Sequence, residues 1–152
     1  MLENQTLPSL KHKFMKKGIL QKALEKRCVS KQVEKLSIKP PDMFQRVKYL
    51  SGGNQQKVVI ARGLLKNANT FVFDDITRGV DIASKIEFYR LVNELAIQGK
   101  GILFISSEIS ELLNLCHNII IMYNKEIFKY LAKEFATREK LIHYLLGLEM
   151  EA

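Results

Sequence analysis

Two short apolar runs separated by one helical pattern constrain this chain more than anything else in it. Thr70-Phe71-Val72-Phe73 ends in the acids Asp74-Asp75, and Gly101 to Ser106 reads GILFIS. Between them, Ile82 to Ile97 repeats apolar residues at helical spacing, and Gly99 stands where such a helix stops. Strand, helix, strand in that order predicts an α/β sheet with helices packed on its faces. Unbroken apolar runs are the mark of parallel strands covered on both sides, so both runs are expected to be buried parallel strands. The two acids then fall at a carboxyl end, where a strand of this kind presents functional groups. A length of 152 residues, 47% of them apolar, allows one domain with a core of this type.

The remaining elements follow from local signals. Ile19 to Ser37 reads as a helix, with Leu20, Leu24 and Cys28, then Val29, Val33 and Leu36, stepping by three and four, and Pro40-Pro41 ends it. Met1 to Lys17 shows no clear period and is expected to be irregular. Ser51-Gly52-Gly53 reads as a loop before a second helix through Lys66, carrying Val58, Ala61, Leu64 and Leu65 inward. A short helix over Glu108–Cys116 precedes two more strands, Ile119–Tyr123 and Ile127–Leu131. Asn124-Lys125 between them is turn-forming, which predicts an antiparallel pair. Thr137 has the chemistry of an N-cap for a last helix to Leu146, with Gly147 behind it.

Charge and composition exclude several classes of protein. The longest apolar stretch, near Asn118–Tyr123, is far short of the roughly 20 residues a membrane-spanning helix needs. No basic segment followed by an apolar one opens the chain, so a cleaved secretory signal is not expected. Cys28 and Cys116 stand apart without metal-type or C-x-x-C spacing and read as buried reduced thiols. Residues 1–50 hold twelve Lys/Arg against four Asp/Glu, whereas residues 51–152 hold twelve of each. Such a basic arm can mark a nucleic-acid binder. Here aromatic stacking groups are sparse (Phe14, Phe44 and Tyr49), so a solvated lysine-rich face is the reading preferred and no nucleic-acid partner is expected.

Two segments carry chemistry. LSGGNQQKVVIARGLL, Leu50 to Leu65, puts a serine and two glycines just before a helix. Backbone N–H groups unobstructed by side chains, a hydroxyl and the positive end of the helix dipole suit an anion such as a phosphate. Taken alone, the pattern is also that of an ordinary helix cap. FVFDD, Phe71 to Asp75, puts a carboxylate at a strand end, where it can hold magnesium while its neighbour polarises a water. Either acid could instead cap a turn. Both segments in order, followed by Thr77-Arg78-Gly79-Val80-Asp81, are far more specific than either one.

Together they resemble the nucleotide-binding domain of ABC transporters, in particular the C-terminal ATPase domain of the two-domain proteins that power import of ribose, galactose and xylose. LSGGNQQ matches the signature motif, VFDD the Walker B strand, TRGVD the D-loop and ISSE at Ile105–Glu108 the switch region. The resemblance implies a partial ABC-type P-loop NTPase domain, with a helical signature subdomain and a mainly parallel sheet flanked by helices. Its expected divisions are 1–68 (helical subdomain), 69–132 (Walker B, D-loop and switch core) and 133–152 (C-terminal helix). It further implies ATP and Mg2+ as cofactors, with Asp74 organising the metal. Asp75 stands where the family usually has a catalytic glutamate, one methylene longer, and Ser107 where most members have a γ-phosphate-sensing histidine, so the resemblance implies Asp75 and Ser107 as the catalytic residues. Ser51, Gly52, Gly53 and Gln55 would contact nucleotide held by the opposite domain, and Asp81 belongs to the D-loop.

The implied function is the ATP-binding component of a simple-sugar importer, coupling ATP binding and hydrolysis to transport. Its partners would be a second ABC ATPase domain and a transmembrane sugar permease, and its place the cytoplasmic face of the membrane, bound peripherally. No G-x-x-x-x-G-K-[ST] loop occurs in the 152 residues, so the chain reads as a domain cut before its Walker A segment, not expected to hydrolyse ATP alone. One alternative is a non-catalytic fragment or module presenting only the signature face to another ATPase. Another is a chromosome-maintenance ATPase, which would need sustained heptads that the sequence lacks.

Overall fold

The computed structural model describes residues 1–148. In chain order, helix α1 (Leu2–Thr6) runs through a 3-10 turn (Leu7–Ser9) and a wider π turn (Leu10–Phe14) into strand β1 (Met15–Lys16). Strand β2 (Ile19–Leu20) and helices α2 (Lys22–Lys35) and α3 (Gly52–Leu65) follow. Strand β3 (Thr70–Asp74), helix α4 (Ile82–Ile97) and strand β4 (Gly101–Ile105) form the predicted strand–helix–strand. Last come α5 (Ile109–Leu115), β5 (Asn118–Tyr123), β6 (Glu126–Ala132) and α6 (Arg138–Leu145). Residues 149–152, part of the expected C-terminal helical segment, lie outside the described residues. Among the described residues no helix is long and apolar enough to cross a membrane.

The chain divides into two compact units, residues 1–71 with 77–102, and residues 72–76 with those from 103 onward. The first unit is built on α2 and α3. Phe14, Val29, Val33, Leu36, Ile38, Leu50, Val58, Ala61 and Leu65 form its buried cluster. The N-terminal segment, expected to be irregular, is a working part of this core. Phe14 is fully buried, and the Arg62 guanidinium donates to the Asn4 carbonyl and carboxamide oxygens at 2.7 and 2.6 Å. The Lys13 ammonium donates to the Leu65 carbonyl at 3.1 Å, placing a cation at the negative end of α3.

Two details of α2 differ from expectation. Ile19 and Leu20 are not helical; they pair antiparallel with Lys16 and Met15 across the Lys17-Gly18 turn, both residues of which have positive φ. The buried stripe of α2 is Glu25, Val29 and Val33, while Leu24 is exposed and Cys28 half-buried. A carboxylate can occupy that stripe because Glu25 accepts the Thr6 hydroxyl at 2.6 Å. The α3 helix begins at Gly52, so the glycine pair forms its first turn instead of a loop before it.

Strands β3 and β4 pair with each other. Gly101 N–H donates to Asn69 O at one end and Asp75 N–H to Ile105 O at the other, so the pairing advances along both strands and they run parallel. Burial alternates along β3: Phe71 and Phe73 are inside, but Val72 is 62% exposed, as are Leu103 (51%) and Ile105 (45%) on β4. The strands are thus covered on one face, not two.

The second unit gathers Ile119, Ile121, Leu141 and Tyr144 into its own core. Its β5–β6 pair is antiparallel, as predicted, with Asn124 and Lys125 both at positive φ in the turn that fits such a hairpin. Thr137 caps α6 by accepting Lys140 N–H, and Gly147 follows at φ 74°. The α/β class therefore holds, with parallel and antiparallel pairs both present. Both cysteines are free but half-buried, less enclosed than expected. Burial raises the Cys116 thiol above its usual range despite the opposing charge of Lys133. Alkylation of Cys116 by iodoacetamide at pH 8 is therefore expected to be slower than that of an unstructured cysteine peptide. Equal rates would contradict this burial.

Candidate functional site

The predicted site residues fall into two groups, one in each unit. In the first unit, Ser51 occupies the N-cap position of α3 with extended backbone, φ −60° and ψ 156°. Gln55 N–H donates to Ser51 O at 2.9 Å, the first bond of the helical ladder. The amides of Gly52, Gly53 and Asn54 precede that bond, so helix geometry aims them out of the N-terminal end. The Ser51 hydroxyl does not cap them; its oxygen accepts the Asn54 side-chain N–H at 2.8 Å. A Cβ placed at Gly52 would meet nothing within 4 Å, so this turn is open, and Ser51 and Gly52 are both exposed. An exposed hydroxyl, three outward amides and a helix dipole make a group able to receive a phosphate.

Gln55 is also part of this turn. It is half-buried, and its carboxamide donates to the Leu50 carbonyl at 2.9 Å, which folds the side chain back on its own turn. Asn54 was not singled out by sequence. Its side-chain oxygen accepts Lys39 N–H at 2.8 Å while its N–H₂ holds Ser51, so it ties the loop after α2 to the open turn.

The Thr77–Asp81 segment, expected to be the D-loop, ends in the same unit. Asp81 caps α4, its carboxylate accepting Ser84 N–H at 2.9 Å and the Ser84 hydroxyl at 2.7 Å. Those two bonds, the backbone one first, hold the Asp81 carboxyl below the usual carboxylate range. Since the folded value is depressed, the cap stabilises α4 fully above the ordinary carboxylate pKa and is lost as pH falls through the folded one. Further along, the Lys57 ammonium meets Glu87 at 2.7 Å, joining α3 to α4.

In the second unit, Asp74 ends β3 and is exposed. Asp75 follows in the left-handed region, φ 43°, which an aspartate tolerates. That backbone turn presents its carboxylate to the switch segment, where Oδ1 accepts Ser107 N–H at 3.0 Å and the Ser107 hydroxyl at 3.3 Å. The two residues expected to share catalytic work are therefore in direct contact. Behind Ser107, the Ser106 hydroxyl donates to the buried carboxylate of Glu111 and accepts Glu108 N–H, fixing the turn into α5. Among the described residues no three His, Cys, Asp or Glu converge on a possible metal position.

No protein-family model matches the chain. It is 44% identical over 135 residues to a protein of Halalkalibacterium halodurans provisionally named as a ribose/galactose/methyl galactoside import ATP-binding protein, covering 89% of this chain and 26% of that one. It is 42% identical over 147 residues to the ribose import ATP-binding protein RbsA of Caldanaerobacter subterraneus subsp. tengcongensis, covering 97% of this chain and 30% of that one. The chain thus spans under a third of the length of these relatives. Among solved structures, a dimeric bacterial ABC transporter cassette superposes with a TM-score of 0.69 at 22% identity, over 87% of this chain and 56% of that one.

Proposed function

Because the chain is a homologue, over most of its length, of sugar-import ATP-binding proteins and has the fold of ABC ATPase cassettes, we propose that it serves the ATP-binding component of a simple-sugar ABC importer. In this reading it works at the cytoplasmic face of the membrane against a transmembrane permease, and its α3 turn completes a nucleotide site carried by a second ATPase domain. The observation that supports it most is the open first turn of α3, with exposed Ser51, unobstructed Gly52 and three outward amides. The dimeric state named for the solved cassette fits a site shared between two domains.

Each residue then has a task. The Ser51 hydroxyl and the Gly52 and Gly53 amides would meet the γ-phosphate of nucleotide held by the partner domain once the two close. Asp74 would hold Mg2+, which when bound neutralises charge on the phosphates. Asp75 would orient the attacking water, and Ser107 acts as a positioning residue by fixing the Asp75 carboxylate through two hydrogen bonds. Asp75 reaches about one methylene less far than a glutamate, so its catalytic geometry depends on that anchoring.

Within its 152 residues the sequence has no phosphate-binding loop of the G-x-x-x-x-G-K-[ST] type, whose backbone donors and lysine supply much of the affinity for a triphosphate. Calorimetric titration of the 152-residue chain with Mg-ATP is therefore expected to show only weak binding, without turnover. A dissociation constant in the low micromolar range, with turnover abolished by Asp74→Asn, would overturn this part of the reading.

A further inference from the structure

We propose that Ser84 is a positioning residue that couples the D-loop aspartate Asp81 to the glycine Gly53 of the open α3 turn, so that both are presented to a partner domain as one piece. The functional half of this rests on the reading above; the coupling itself does not.

Three contacts carry it, all inside the first unit. The Ser84 hydroxyl is held by Asp81, and its N–H by the other oxygen of the same carboxylate. On its other side, Ser84 occupies the space a side chain at position 53 would need. A Cβ built at Gly53 would lie 2.8 Å from the Ser84 Oγ and 2.9 Å from its Cβ, with Val80 of the D-loop segment 3.9 Å away. Glycine is thus required at 53 by the approach of α4, not by its own backbone torsion. One turn along each helix, Lys57 and Glu87 meet at 2.7 Å. Position 57 is four residues after 53 and 87 is three after 84, so both contacts lie along one seam between α3 and α4. The salt bridge is partly exposed and worth little by itself. It is the packed Ser84–Gly53 contact that fixes how the seam meets the turn.

Gly53 has one of the three amides aimed out of the turn, so a change in how Asp81 holds Ser84 is transmitted to a group that would face phosphate. Ser84→Ala keeps the Cβ packed on Gly53 but removes the hydroxyl bond, and Asp81→Asn keeps a capping side chain but removes its charge. Neither change disturbs a buried core residue.

The test is amide NMR on the full chain, with turnover measured in an assembly with a sugar-import ATPase domain that carries its own phosphate-binding loop. Ser84→Ala and Asp81→Asn are each expected to shift the Gly53 and Asn54 amide resonances, and the double variant to shift them no further than the larger single change, since both act through one link. In the assembly, Ser84→Ala should lower kcat by about three- to tenfold, the kinetic equivalent of one lost hydrogen bond, with KM for ATP unchanged. Unmoved Gly53 and Asn54 resonances, or additive shifts, overturn the coupling. Unchanged kcat where Ser51→Arg does lower it overturns the positioning role. An assembly indifferent to both substitutions, in a chain whose resonances do shift, overturns the partner-site reading and with it the role of Ser84 in that site, leaving the coupling standing.

Discussion

Phe14→Ala is expected to cost about 3–5 kcal/mol of folding stability, the usual range for emptying a fully buried aromatic site. Phe14 is the largest fully buried side chain of the first unit and belongs to the cluster joining α2 and α3. The N-terminal segment closes over α3 through hydrogen bonds that Asn4 accepts from Arg62 and that Lys13 donates to Leu65, so the cavity has rigid walls and little freedom to collapse. A loss of this size is a large fraction of the 5–15 kcal/mol that holds an ordinary domain together. Urea unfolding followed by far-UV circular dichroism measures it, with Phe14→Leu expected to recover most of the loss. A change below about 1 kcal/mol would mean the segment before α2 is a detachable arm, as its composition suggests.

That segment shows where the sequence stops being readable. Its lysines are exposed, as a solvated basic face requires, but the buried side chains beside Met1 and Phe14 include the polar Gln5, Thr6 and Ser9, so the pattern of apolar residues does not mark the inner face. Three tight turns of different pitch and a two-residue hairpin place them, and no single repeat encodes that succession. The α2 stripe misled for a related reason. Leu20, Leu24 and Cys28 have the correct spacing, yet Glu25 is inside, because a distant hydroxyl on Thr6 satisfies it. Local chemistry was legible where one residue decides the geometry. Thr137 as a cap, Gly99 at positive φ as a stop and Asn124-Lys125 as a hairpin turn were all visible in the chain.

The candidate site divides in the same way. Ser51, Gly52, Gly53, Asp74, Asp75, Asp81 and Ser107 sit at element ends, where motif spacing could place them. The contacts of Asn54 with Lys39 and of Ser84 with Gly53 join elements distant in sequence, and no spacing announces them. Asp75 and Ser107 are 32 residues apart and meet because β3 and β4 are parallel neighbours, bringing the two strand ends together.

Ser51→Arg is expected to lower ATP turnover by a partner domain on the order of 10²-fold, the scale seen when one preorganised donor is removed from a reacting group. Ser51 is exposed and its hydroxyl caps no backbone amide, so the substitution leaves α3 its first turn and the chain its fold. What changes is the mouth of that turn. A guanidinium-tipped side chain replaces a small hydroxyl beside unobstructed Gly52 and would block the approach of phosphate proposed for the Gly52 and Gly53 amides. In the proposed assembly this contact would form only after the domains close, so ground-state affinity of the partner for ATP should be nearly unaffected while turnover falls.

The decisive measurement is steady-state ATPase activity of this chain assembled with a sugar-import ATPase domain that carries its own phosphate-binding loop, wild type against Ser51→Arg. Turnover reduced about a hundredfold, with the partner's ATP affinity unchanged, is the result expected if the α3 turn completes the partner's site. Equal turnover in the two assemblies would contradict that role.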